Sequence, residues 1–125
     1  MAFFGQERPV DTRVQLSHNL TSTTLERKGS ELMRFEYIDV QWLHHFEAEP
    51  TRLVSEVDER RMEVRKLEFF KDGRVGYAYD GHAAYGTELG VMPVSLLSEI
   101  NSDPEFVGVM ITAAEFDALW STHRQ

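Results

Sequence analysis

The 125-residue chain is predicted to be α+β: a four- to five-stranded, mainly antiparallel sheet with two C-terminal helices packed on one face. Three observations point there. Aromatic and β-branched runs with period-two alternation crowd residues 35–80, which suits pleated, half-buried surfaces. Asp72-Gly73 separates two of those runs, and glycine accepts the positive φ a hairpin turn needs. Helical stripes appear only after residue 94, so strands precede helices instead of alternating with them.

Taken in order, residues 1–33 read as a polar arm or extension ahead of a single domain spanning 34–125. The stretch QLSHNLTSTTLERKGSEL repeats at neither period two nor period 3.6, and a short helix is expected around residues 22–28. The first strand, FEYIDVQWL, sets Ile38, Val40 and Trp42 on one side. FEAEPT is a loop closed by Pro50, and RLVSEVD is a second strand in which Leu53, Ser55 and Val57 alternate with Arg52, Val54 and Glu56. After a polar connection at 58–61, MEVRKLEFF changes phase: Met62 and Val64 share one parity, Leu67 and Phe69 the other. A bulge near Arg65 and Lys66 would restore one apolar face.

Beyond the Asp72-Gly73 turn, RVGYAY places Val75, Tyr77 and Tyr79 on one face. Gly76 and Ala78 lie on the other, leaving room for close packing. DGHAAYGTELGVMP, with Gly81, Gly86 and Gly90, is a long loop or a loop with one short strand at 87–89. SLLSEI is a short helix with Ser95 as N-cap and Leu96, Leu97 and Ile100 on its stripe. Residues 102–105 form a turn. Thr112 and Glu115 match a capping box, and the helix that follows aligns Ala113, Phe116, Leu119 and Trp120.

Composition narrows the function classes. With no cysteine, a disulfide scaffold, an iron–sulfur protein and a thiolate zinc site are excluded. No apolar run nears the roughly 18 residues of a membrane span, and no secretory or myristoylation signal opens the chain. A cytoplasmic domain without cofactor, metal or membrane partner is expected. The net charge of −8 is uneven: residues 75–125 hold seven acidic groups against Arg124 alone.

The candidate chemistry is sparse. Of His18, His44, His45, His82 and His123, His82 lies in the glycine loop beside Asp80, a carboxylate that could let it act as a base. His44 and His45 would point to opposite faces of a strand. The glycines fit neither phosphate-binding fingerprint. Gly73-Arg74-Val75-Gly76 is formally a GxxG and Tyr77 and Tyr79 could stack on bases. However, Arg60, Arg61, Arg65, Lys66, Lys71 and Arg74 are interleaved with Asp58, Glu59, Glu63, Glu68 and Asp72. Cross-strand ion pairing accounts for them, and the net charge repels phosphates; direct nucleic-acid binding is not expected.

The run EVRKLEFFKDGRVGYAY, with YGTELG, PVSLLSEI, DPEF and TAAEFDALW after it and YIDVQWLHHF and LVSEVD before it, resembles a small uncharacterised bacterial domain family. The resemblance covers about residues 33–121 and implies no catalytic residue; the preceding 32 residues depart from the family's usual start near Met33. Three functional readings follow. The first is a non-catalytic protein-binding domain, an acidic inhibitor of the immunity or anti-defence type that meets a basic, nuclease-like partner. Tyr85, Glu88, Asp103 and Glu105 would line its contact surface. The second is a small enzyme or ligand-binding module with Asp80, His82 and Tyr85 in a pocket under the glycine loop. The third is a homodimer formed through the first strand as a sheet edge.

Overall fold

The computed structural model describes residues 24–28 and 31–123, with side chains from Arg34 onward. The elements are β1 (Thr24–Lys28), β2 (Glu31–Trp42), β3 (Arg52–Val57), β4 (Glu63–Phe69), β5 (Val75–Tyr79), β6 (His82–Ala84), α1 (Leu97–Asn101), β7 (Phe106–Ile111) and α2 (Ala113–His123). Six strands form one antiparallel sheet in the order β7-β2-β3-β4-β5-β6. β1 pairs with the N-terminal half of β2, Thr24 opposite Phe35. The α+β class holds, and the strand count exceeds the expected four or five.

One additional strand comes from the stretch read as a long loop, and another from residues 106–111, to which the sequence reading assigned no element. Asp80 and Gly81 both adopt positive φ, 38° and 82°, and join β5 to β6 with Tyr79 opposite His82. This is a two-residue Asp-Gly hairpin; at the other Asp-Gly turn only Gly73 has positive φ, 95°, and Lys71, Asp72 and Gly73 lie inside the bond from the Phe70 N–H to the Arg74 carbonyl. The short strand therefore lies at His82–Ala84, not at 87–89. The other, β7, is FVGVMI, six residues that return to pair with β2, Trp42 opposite Phe106. Near the N-terminus, the helix expected around 22–28 is replaced by β1, whose backbone groups are satisfied by β2. Glu31–Met33, also within the expected arm, open β2; the remaining arm residues lie outside the described residues.

The expectation that both helices share one face is corrected. Ile38, Val40, Trp42, Leu53, Val57 and Phe106 pack with Val94, Leu97 and Ile100 on one side. Phe35, Tyr37, Val54 and Leu67 pack with Phe116, Leu119 and Trp120 on the other. Successive residues of a strand alternate faces, so α1 and α2 cover opposite sides of the sheet. The bulge is present but earlier than expected: Glu56 faces Arg65 and Val57 faces Glu63, leaving Val64 as the extra residue. It brings Val64 onto the α2 side with Leu67 and Phe69, and it turns Glu63, Lys66 and Glu68 to the α1 side.

The capping box forms as read. The Thr112 N–H donates to Glu115 Oε1 at 2.8 Å and the Glu115 N–H donates to Thr112 Oγ1 at 3.0 Å. Ser95 does not cap α1. That role falls to Leu96, without a side-chain bond, because Arg61 holds the preceding residues extended. Arg61 Nε donates to the Val94 carbonyl at 2.8 Å and Nη2 to the Ser95 carbonyl at 3.0 Å, while the Val94 N–H donates back to the Arg61 carbonyl at 2.8 Å.

Candidate protein-binding surface

Antiparallel pairing collects several connections at one end of the sheet. Gln41 faces Arg52, Arg52 faces Phe69, Phe69 faces Val75 and Trp42 faces Phe106. The loops at 43–51, 70–74 and 102–105, and the chain leaving β6 at Tyr85, therefore share this end. Its 43–51 loop is tied down by His44. The Phe46 N–H donates to His44 Nδ1 at 2.9 Å, so Nε2 carries the proton and donates to the Pro50 carbonyl at 2.7 Å. The His44 ring packs 4.2 Å from Trp42 and 5.3 Å from Phe46. Trp42 also lies against Phe106 and donates from Nε1 to Glu105 Oε1 at 3.2 Å.

Fastened in this way, the end presents large apolar side chains to solvent: Leu43 is 53% exposed, Phe46 60% and Tyr85 61%. Around them, among the described residues of these loops, stand the carboxylates of Glu47, Glu49, Asp72, Asp103 and Glu105 and two cations, Lys71 and Arg74. Both cations are engaged, Lys71 with Glu47 at 3.6 Å and Arg74 with Asp72 at 2.9 Å. The Arg74 N–H and guanidinium hold the Asp72 carboxyl below its ordinary range. Arg74 also sits 4.5 Å over Phe70 and 6.0 Å over Tyr85.

Of the four residues expected to meet a partner, three reach this end. Asp103 and Glu105 lie beside β7 and Tyr85 follows β6, at opposite edges about 24 Å apart by strand spacing. The two acids also build their turn, since Asp103 Oδ1 accepts the Glu105 N–H at 2.9 Å. Glu88 is not with them; it lies on the α1 side, its carbonyl bonded to Lys66. The alternative pocket of Asp80, His82 and Tyr85 does not assemble. Asp80 and His82 belong to the turn at the other end of the sheet, His82 stacks on Tyr79 at 4.8 Å, and all three side chains are exposed. The first strand of the reading is not an edge either, because β2 is paired on both sides. Leu43 and Phe46, the apolar anchors, were missed by the sequence reading; the signal available was an aromatic next to a histidine in a short loop.

The glycine-rich stretch proves to be a strap across the α1 side, fastened to a buried polar cluster. Lys66 Nζ lies 3.2 Å from Glu63 Oε1 and 3.7 Å from Glu68 Oε2, and donates to the Glu88 carbonyl at 3.1 Å. Thr87 Oγ1 donates to Glu68 at 2.9 Å and the Gly90 N–H donates to Glu63 at 2.6 Å. Lys66 and Thr87 are almost wholly buried, as are both carboxylates. Burial pushes the Glu63 carboxyl above its ordinary range, against the opposing pull of Lys66 and the Gly90 N–H. The room expected at Gly76 is where the strap seats: a Cβ there would lie 2.0 Å from Thr87 Oγ1 and 2.9 Å from the Ala84 carbonyl. Gly76→Ala is therefore expected to lift the strap and destabilise the fold by about 1–3 kcal/mol. Denaturant titration measures the loss, and faster proteolytic cleavage within 86–93 reports the lifting.

Among the described residues, no group of histidines and carboxylates is arranged to hold a metal ion, and no helix is long and apolar enough to cross a membrane. Fold and surface together define a small α+β domain with an antiparallel sheet, a helix on each face and an acidic, apolar-tipped loop end. The chain belongs to the family described as a domain of unknown function, DUF6881, whose model matches residues 36–125. No curated protein and no solved structure matches it.

Proposed function

We propose that the chain is a non-catalytic protein-binding domain whose loop end grips a basic partner, acting as an acidic inhibitor of the immunity or anti-defence type. The observation that carries this reading is the placement of exposed Leu43, Phe46 and Tyr85 among five carboxylates on a loop end braced by Trp42, His44 and Glu105. Apolar anchors inside a charged rim are the composition of a protein interface, and rigid anchors lose little entropy on binding. The charge distribution supports it further. Both cations of the described loops at this end, Lys71 and Arg74, are paired with carboxylates, which leaves the described part of this end acidic. Complementary potential raises the association rate and makes it salt-sensitive.

The test is affinity capture from the source cells at low and high salt, followed by affinity measurement for Phe46→Ser and for the pair Glu47→Lys with Glu49→Lys. One dominant basic protein, weakened at least about 30-fold by Phe46→Ser and slowed in association by the lysine pair, is expected. A captured partner bound equally well by all three chains would overturn the proposed surface. Turnover of a substrate by the purified chain would overturn the non-catalytic reading.

A further inference from the structure

Among the described residues β7 is the outermost strand on its side of the sheet, yet the middle of its outer edge is occupied by a side chain. Asn101, the last residue of α1, accepts the Gly108 N–H at 2.6 Å through Oδ1 and donates from Nδ2 to the Gly108 carbonyl at 3.0 Å. This reciprocal pair is the bonding a neighbouring strand would offer. Gly108 therefore directs its backbone groups outward, and β7 meets β2 through the alternate residues. α1 is positioned to deliver Asn101 because Gly108 lacks a side chain: a Cβ there would lie 2.9 Å from Leu97 Cδ1 and 3.1 Å from Val40 Cγ2.

We propose that the outer edge of β7 is a strand-addition surface for a second copy of this chain, kept closed in the monomer by the Asn101 carboxamide. The register is self-complementary. With a two-fold axis at Gly108, the two Gly108 residues exchange both backbone bonds. Val107 of each copy then faces Val109 of the other on the α2 side, and Phe106 faces Met110 on the α1 side. An isologous contact demands this symmetry. Val107 and Val109 are 50% and 52% exposed, and they become directly opposed apolar pairs of the kind that stabilise sheets. No residue of FVGVMI is charged, so this edge lacks the lysines and prolines that blunt others, and the burden of blocking it falls on Asn101. The helix carrying that residue is five residues long and has no side-chain N-cap, so little intrinsic helix stability opposes its release.

The experiment is sedimentation equilibrium of the full chain as wild type, Asn101→Ala, and Asn101→Ala combined with Val109→Lys, with circular dichroism to verify folding. Wild type is expected to be monomeric at tens of micromolar. Asn101→Ala is expected to dimerise at least about tenfold more tightly, a shift of about 1.4 kcal/mol. The lysine, placed against Val107 of the other copy, is expected to restore the monomer. Amide exchange at Gly108 supplies a second readout: protection is lost in the Asn101→Ala monomer on dilution and regained in its dimer. A folded Asn101→Ala chain that stays monomeric, a dimer indifferent to Val109→Lys, or a wild-type dimer with protected β7 amides would each overturn the proposal. So would capture of a foreign extended segment on the opened edge in preference to a second copy.

Discussion

Lys66→Met is expected to destabilise the domain by about 3–5 kcal/mol, because it removes the one cation that the described residues place in a buried site and leaves two carboxylates uncompensated. Glu63 and Glu68 both point to the α1 side with Lys66, and Glu63 Oε2 has no hydrogen-bond partner. The loss should depend on pH. Burial already raises the Glu63 carboxyl, and without Lys66 it rises further, so the folded chain holds a proton that the unfolded chain has released. Stability then falls as pH climbs through and above the carboxylate range. The deficit relative to wild type is thus expected to be larger at pH 8 than at pH 5, measured by urea titration at each pH. Adding Glu63→Gln and Glu68→Gln should recover part of it. A deficit that is flat with pH would show that Lys66 contributes packing by its methylenes and not charge compensation.

Phe116→Ala is expected to cost a similar amount, about 3–5 kcal/mol, by opening a cavity where α2 meets the sheet. The Phe116 ring is fully buried, 5.4 Å from Tyr37 and stacked 5.9 Å from Trp120. It also carries the Arg65 guanidinium 4.7 Å above it. Arg65 binds the buried Glu56 at 2.6 Å, and Glu56 in turn accepts the Tyr37 hydroxyl at 3.0 Å. Truncating the ring admits water to that pair as well as emptying its volume. Chemical denaturation measures the total, and the near-ultraviolet circular dichroism of Trp120 should collapse before the far-ultraviolet signal. Phe116→Leu should lose less on both counts.

These two sites show what the sequence could reveal and where it misled. The α2 stripe was legible because Ala113, Phe116, Leu119 and Trp120 recur at helical spacing behind a capping box. The phase break in β4 was legible as a bulge, one residue out of place. What the sequence did not reveal was burial. Glu63, Lys66 and Glu68 read as ion-pairing residues, and they do pair, but along one strand and, like Glu56 beside Arg65, out of solvent, with further hydrogen bonds from the strap. One covered face was expected, and both are covered. β7 was missed because its identity lies in pairing with β2, more than 60 residues away in the chain, and no local signal encodes that. For the surface, Tyr85, Asp103 and Glu105 could be picked as candidates, but only topology shows that they share an end with Phe46 and that Glu88 and Asp80 do not.

The pairing of β7 with β2 also governs how the molecule is born. During synthesis the N-terminal strands emerge first, yet the side of the sheet that α1 protects stays bare until Leu97–Asn101 has left the ribosome, and β2 stays an uncovered edge until Phe106–Ile111 has followed. Most of the chain must therefore be shielded from premature strand addition while its tail is still being made, and cooperative closure waits for the final third.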